Sequence, residues 1–220
     1  VLALVKLANS DPDEAYKQMQ RTWSIHLTTE ERHWVWGAIG RQLAMRLDGD
    51  ALKAFELARS DHDLTDDMLA WKVRAALRVG NTPAWKAVES AILAMDLPQR
   101  QEPVWVYWLG RALHARGHKD QAQTLWEGIA SVKGFYEQLA LEELGRPIQM
   151  PARPAAPTPE EMAQARANPS LQRAVKAIAV GLRTEGVREW NYGTNLVNAQ
   201  GQAGRMNDRE LLAAAHWACE

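Results

Sequence analysis

The stretch Trp105-Val106-Tyr107-Trp108-Leu109-Gly110-Arg111-Ala112-Leu113, continuing through Gly117, Ala122, Leu125, Trp126 and Ile129 to Gly134-Phe135-Tyr136, Leu139, Leu141 and Leu144-Gly145, decides the fold. Between Lys119 and Ser131 the large apolar residues fall at i, i+3, i+4 and i+7 (Ala122, Leu125, Trp126, Ile129), which is one stripe of an α-helix. Trp105, Trp108, Leu109 and Ala112 keep the same spacing just before it. Gly117 stands where the first helix must end, because glycine takes the left-handed conformation without a Cβ clash. The pattern predicts two short helices folded back on each other.

Gly110, Gly117, Ala122 and Trp126 fall at the offsets that the tetratricopeptide helix-turn-helix repeat uses for close packing. One such pair cannot bury its own apolar face, so neighbours are required. Trp34, Trp71 and Trp105 lie 37 and 34 residues apart, the period of an irregular two-helix repeat.

Caps mark the other helices. Asp11-Pro12 opens one carrying Tyr16, Met19 and Trp23. Thr28 with Glu31 is a capping box before a long helix through Trp34, Trp36, Ile39, Leu43 and Leu47, with Gly49 as its end. A return helix spans Asp50 to Arg59, Thr65 opens Asp66 to Val79, and Gly80 with Thr82-Pro83 separates that helix from one carrying Trp85, Val88, Ile92 and Met95. Pro147, Pro151, Pro154, Pro157 and Pro159 then crowd a segment that reads as extended. Beyond it Thr158 with Glu161 caps a short helix, and Asn168-Pro169 starts Ser170 to Arg183 on the stripe Leu171, Val175, Ile178 and Leu182. Glu185 to Ala199 follows with Val187, Trp190, Leu196 and Val197, weakened at Asn191-Tyr192-Gly193, and Asn207 with Glu210 caps Asp208 to Cys219. Strand patterns are nearly absent. The fold class expected is all-α: a superhelical stack of short antiparallel helix pairs, a tetratricopeptide-like solenoid, followed by a small helical domain.

Composition narrows the function. With 46% apolar and 24% charged residues the chain is globular, and a net charge of -1 lacks the basic footprint of a nucleic-acid binder. No apolar run reaches the ~20 residues of a membrane span. Val1 to Ala8 is too short for a signal peptide, and a start without Met and a stop at Glu220 inside a helical pattern read as a piece of something longer. The single cysteine, Cys219, allows no internal disulfide and reads as an inert buried thiol.

Signals for chemistry are few. Glu89-Ser90 sits in an amphipathic helix with no glycine-rich run after it and reads as a surface pair. His114 and His118 have zinc-ligand spacing, but Gly117 breaks the helix between them and no third ligand follows. Glu30-Glu31, Glu142-Glu143 and Glu160-Glu161 are paired carboxylates, of which the first and last are first-turn residues that complement a helix dipole. No metal site or cofactor fingerprint is expected. The ten tryptophans invite a sugar-stacking reading, yet most lie on stripes with Leu or Ala, which places them in a helical core. Arg166, Arg173, Lys176, Arg183 and Arg188 give the last block a basic excess suited to an anionic polymer.

Trp105 to Ala112, with Gly117, Ala122, Ile129, Ala130, Gly134-Phe135-Tyr136, Leu139-Ala140 and Leu144-Gly145, resembles the soluble lytic murein transglycosylases of the bacterial cell wall. In that family the pattern closes a long superhelical region of stacked short helices. Asn168-Pro169 through Arg173, Arg188-Glu189-Trp190 and Ala213-Ala214-Ala215 are similar to the linker domain that follows it. The resemblance implies three parts: residues 1–146 as the C-terminal part of the α-superhelical domain, 147–158 as a proline-rich linker, and 159–220 as the helical linker domain.

What the resemblance implies about function is a periplasmic, non-catalytic scaffold that positions a lysozyme-like domain on peptidoglycan glycan strands. That domain cuts the MurNAc-GlcNAc β-1,4 bond to leave a 1,6-anhydro end, without a cofactor. The family's catalytic glutamate is followed by serine and a Gly-Leu-Met-Gln-like run, which does not occur here, so no catalytic residue carries over. Glycan contact falls to Arg173, Lys176, Arg183 and Arg188, and other cell-wall enzymes are further partners. The alternative is a stand-alone tetratricopeptide-like scaffold that binds a protein or peptide.

Overall fold

Caps written in the sequence start many of the helices. In the computed structural model, which describes residues 1–149, 151–194 and 206–219, they are α1 (Leu2–Ser10), α2 (Pro12–Arg21), α3 (Thr29–Met45), α4 (Ala51–Leu57), α5 (Asp66–Leu77), α6 (Trp85–Ala94), α7 (Leu97–Arg100), α8 (Pro103–Ala115), α9 (Lys119–Ile129), α10 (Phe135–Glu143), α11 (Pro159–Ala167), α12 (Pro169–Ala179), α13 (Arg183–Thr194) and α14 (Asp208–Cys219). Short 3₁₀ turns occupy Trp23–Ile25 and Asp61–Asp63, and the described residues form no strand. Thr28 and Glu31 exchange both bonds of a capping box, as do Thr158 and Glu161. Asn207 and Glu210 do the same at α14. Asp11, Thr65 and Asn168 accept from first-turn amides of α2, α5 and α12.

The chain divides into two compact units, Val1–Met150 and Pro151–Glu220, the boundary falling within the proline-rich segment. In the first unit, α1 pairs with α2, α3 with α4, α5 with α6 and α8 with α9, while α10 closes on α8 and α9. The pairs stack through α1 on α3, α3 on α5 and α6 on α8. Phe55, Met19, Ile39, Leu43, Leu69 and Ile92 are fully buried between them. Each such side chain contributes about 1.5–3 kcal/mol relative to exposure.

The repeat is more regular than the sequence spacing suggests. The sixth residues of α3, α5 and α8 are Trp34, Trp71 and Trp108, and the tenth are Ala38, Ala75 and Ala112, so both sets recur every 37 residues. Trp108, not Trp105, is the periodic tryptophan; Trp105 holds the third position, where α5 has the buried Met68. The alanines are all buried, whereas Trp34 is 36% exposed and Trp71 and Trp108 are half-buried.

α8 is also buried on more than the one expected stripe. Trp105, Leu109 and Ala112 join the main core, while Tyr107 faces a second core of Ala122, Trp126 and Ala140. A helix with neighbours on two sides buries positions that a single stripe would leave to solvent. Gly110 permits the approach of α9, because a Cβ there would lie 2.3 Å from Trp126 Nε1. At the turn Gly117 has φ +91°, and the bonds His118 N–H to Leu113 O and Gly117 N–H to His114 O complete a Schellman closure.

Several expected boundaries move; α2 stops at Arg21, so Trp23 leaves its stripe for the 3₁₀ turn and is exposed. α3 ends at Met45 because Leu47, at φ +63°, is the left-handed residue that closes it, with Asp48 N–H donating to Leu43 O; Gly49 has no such role. α6 starts after Ala84, whose N–H donates back to Ala76 O, so Thr82-Pro83 does not cap it. α12 stops at Ala179, closed by Gly181 at φ +87° and a Leu182 N–H to Ala177 O bond. Arg183 therefore begins the next helix, and Leu182 is exposed rather than on the core stripe.

In the second unit, α12 and α13 form a hairpin, and α11 packs on α14. Gly193 and Gly186 let α13 approach α12: a Cβ on Gly193 would meet Ser170 Cβ at 2.8 Å, and one on Gly186 would meet Ile178 Cγ1 at 2.5 Å. The glycines are the contact face. The core is Ala165, Leu171, Ala213 and Ala214, with Met162, Trp190, Met206 and Trp217 packed against it. Cys219 is exposed, contrary to the buried thiol expected. At 100° per residue it lies about 140–240° around α14 from Ala213 and Ala214, the residues that face the core. The expected positions Leu196 and Val197 lie outside the described residues.

Candidate functional site

The basic residues singled out in the last block occupy several surfaces of the second unit. Arg173 and Lys176 are one turn apart on the exposed side of α12, opposite Leu171 and Ala174. Arg173 donates through Nε to Glu189 at 2.9 Å and through Nη2 to Ser170 Oγ at 3.1 Å, which ties the hairpin together. Arg183 is the first residue of α13. Arg188 stands about 200° around α13 from Gly186, the residue that meets α12.

The paired carboxylates resolve into structural roles. Glu31 and Glu161 close capping boxes. Glu161 also pairs with Arg209, whose Nη1 and Nη2 donate to the carbonyls of Ala155 and Ala156 at 2.7 and 3.1 Å. The Arg209 hydrogen bond, with the Thr158 amide second, pulls the Glu161 carboxyl down to about 2. Glu143 accepts from Tyr107 Oη at 3.2 Å and pairs with Arg111 at 2.9 Å, clamping α10 to α8. Glu89 pairs with Arg116, joining α6 to the turn after α8. His114 lies against the Trp126 ring and His118 is the N-cap of α9; the described residues contain no group of three potential metal ligands.

Sequence reasoning missed the polar cluster inside the first unit. His33 and Lys72 are its two buried charged or polar side chains, and both are answered from the 3₁₀ turn Asp61–Asp63. His33 Nδ1 lies 2.6 Å from Asp63, and Lys72 Nζ 2.5 Å from Asp61. The His33 hydrogen bond holds the Asp63 carboxyl below its ordinary value. One turn thereby pins α3 and α5. The available signal was Lys72 itself, since the seventh positions of α3 and α8 are the apolar Val35 and Leu109.

No protein-family model and no curated protein matches the chain. Solved structures do. The lytic transglycosylase Slt from Pseudomonas aeruginosa, solved as an inactive mutant, superposes with a TM-score of 0.64 over 99% of this chain at 24% identity. The 70 kDa soluble lytic transglycosylase from Escherichia coli gives 0.59 over 98% at 17% identity. This chain has the helical fold of part of those enzymes. It spans about a third of each, 34% and 33% of their chains.

Proposed function

We propose that the chain is a non-catalytic scaffold of a peptidoglycan lytic transglycosylase, which positions a lysozyme-like domain on murein glycan strands for cleavage of MurNAc-GlcNAc β-1,4 bonds to 1,6-anhydro ends. The observation that carries the reading is the fold likeness to two lytic transglycosylases over nearly the whole chain. Its parts are a superhelical region at 1–146, a proline-rich linker at 147–158 and a linker domain at 159–220. Its setting is the periplasm, and its partners are glycan strands and other cell-wall enzymes. No described helix is long and apolar enough to cross a membrane.

Asp63 and Glu161 serve the helix framework: hydrogen bonds from His33 and Arg209 hold both carboxyls below their ordinary values. Exposed Arg173, Lys176, Arg183 and Arg188 supply weak electrostatic contact with the anionic polymer.

Incubated with purified peptidoglycan, the 220-residue chain is expected to release no anhydromuropeptides. It should cosediment with the insoluble polymer, and less so as salt rises, because exposed charges are screened over ~10 Å at 0.1 M. Turnover that disappears on changing one glutamate, such as Glu89→Gln, sinks the scaffold reading. Salt-independent or absent binding removes the role of the four basic residues.

A further inference from the structure

The first unit contains an open cleft lined by Gln20, Ser24, Thr29, Arg32, His33, Trp36, Leu57 and Arg59. It is assembled from distant parts of the chain. Gln20 comes from the end of α2, Ser24 from the 3₁₀ turn after it, and Thr29, Arg32, His33 and Trp36 from the first half of α3. Leu57 ends α4, and Arg59 follows in the left-handed conformation at φ +59°.

Three features give the cleft a chemistry. Among the described residues no carboxylate lines it, whereas two guanidinium groups do. Arg32 is held in place, its Nη1 donating to Ser24 O at 3.2 Å and its Nη2 to Thr29 Oγ1 at 3.1 Å, with the remaining N–H groups uncommitted. The Arg59 side chain has no hydrogen-bond or ion-pair partner among the described residues. Third, His33 is 8% exposed and spends Nδ1 on Asp63. Asp63, whose carboxyl that hydrogen bond holds below its ordinary value, accepts from Nδ1, so Nδ1 carries the proton and Nε2 has no hydrogen-bond partner among the described residues. Nε2 is the ring nitrogen left to the cleft. Trp36 and Leu57 add an apolar wall.

We propose that this cleft binds a small carboxylate with an apolar body, as the carboxyl end of a short peptide is: Arg32 and Arg59 hold the carboxylate, and Trp36 and Leu57 pack against the apolar part. Guanidinium forks match planar carboxylates, and two donors on one anion give charge-assisted bonds. The Trp36 and Leu57 wall favours a carboxylate carried on an apolar body over a bare inorganic anion. The inference rests on the cleft alone and is independent of the transglycosylase scaffold reading.

N-acetylalanine, which carries one carboxylate and one amide N–H, is the probe, and NMR of the 24.7 kDa chain the readout. Titration is expected to give saturable shifts at the Arg32 side chain and the His33 ring. The methyl ester of the probe should give none. Arg59→Gln should weaken binding about tenfold, the loss of one charge-assisted contact. That variant removes a side chain with no partner to lose, so the fold stays intact; Arg32→Gln, which also loosens Ser24 and Thr29, is the second variant and should abolish binding. Equal shifts with the ester, unchanged affinity in Arg59→Gln, tighter binding of inorganic phosphate than of the probe, or no saturable shift up to the probe's solubility would each overturn the assignment.

Discussion

The large, fully buried side chains of the first unit, among them Phe55, Met19, Ile39 and Leu43, contrast with the second unit, whose buried residues among those described are mostly alanines around Leu171. An alanine buries a single methyl, so each such position gains far less from apolar burial than a buried Phe55 or Leu43. Polar clamps take over: Arg209 reaches Glu161, Ala155 and Ala156 at once, and Arg173 bridges Glu189 and Ser170. The first unit uses ions differently. Its buried pair Lys72–Asp61 sits within a core already made by packing. The two units share one secondary structure and differ in what holds it, and three experiments bear on that difference.

The largest effect is expected at Trp126, 3% exposed against Gly110. Trp126→Ala should cost about 3–5 kcal/mol in a denaturant melt of the first unit. Gly110→Ala should cost about 1–3 kcal/mol from the other side of the same contact, by overpacking. Wild-type stability in both would mean that α8 and α9 are not pressed together, and the contrast between the units would collapse.

Next in size is the buried ion pair. Lys72→Met leaves Asp61 without its partner and should cost about 3 kcal/mol, near the lower end for breaking such a pair because the Asp61 side chain remains 16% exposed. Adding Asp61→Leu should restore much of the loss, since replacing both charges with apolar groups removes the orphan. A double variant as unstable as the single would show that the 3₁₀ turn needs its ions, which would bring the first unit closer to the second.

The smallest effect sharpens the comparison through pH. Glu161 titrates at about 2 when folded against 4.5 unperturbed, so its stabilisation is complete above pH 4.5 and is lost as pH falls through 2. In hydrogen exchange of the whole chain, Arg209→Ala should lower amide protection in α11 and α14 at pH 6 and leave α3 and α8 unchanged. That difference from wild type should shrink as pH falls from 4.5 towards 2. Uniform loss of protection across both units would show that the clamp is not local.

Local chemistry made the helices legible. Thr28 with Glu31, Thr158 with Glu161, Asn207 with Glu210, Asp11, Thr65 and Asn168 are caps that bond within three residues, so their outcome depends on nothing distant. The Gly117 turn and the Gly110–Trp126 approach were likewise readable, since glycine at those places has few other uses. The Leu47 closure was not, because an L-residue enters the left-handed region only where surrounding packing holds it there.

The sequence by itself determined that the chain is helical, where many of its helices begin, and that they pair and repeat. Tertiary structure alone decided which faces are inside. Tyr107 is buried because α8 has neighbours on two sides, Trp34 is exposed although its spacing matches Trp71, and Cys219 reaches solvent because α14 turns its alanines inward. The same holds for His33 with Asp63, and for the Arg32 and Arg59 cleft, whose members are about 30 residues apart and meet only when α3 and α4 stack. Helix periodicity is set by backbone geometry within one turn, whereas burial and charge pairing are set by the neighbour that arrives later in the chain.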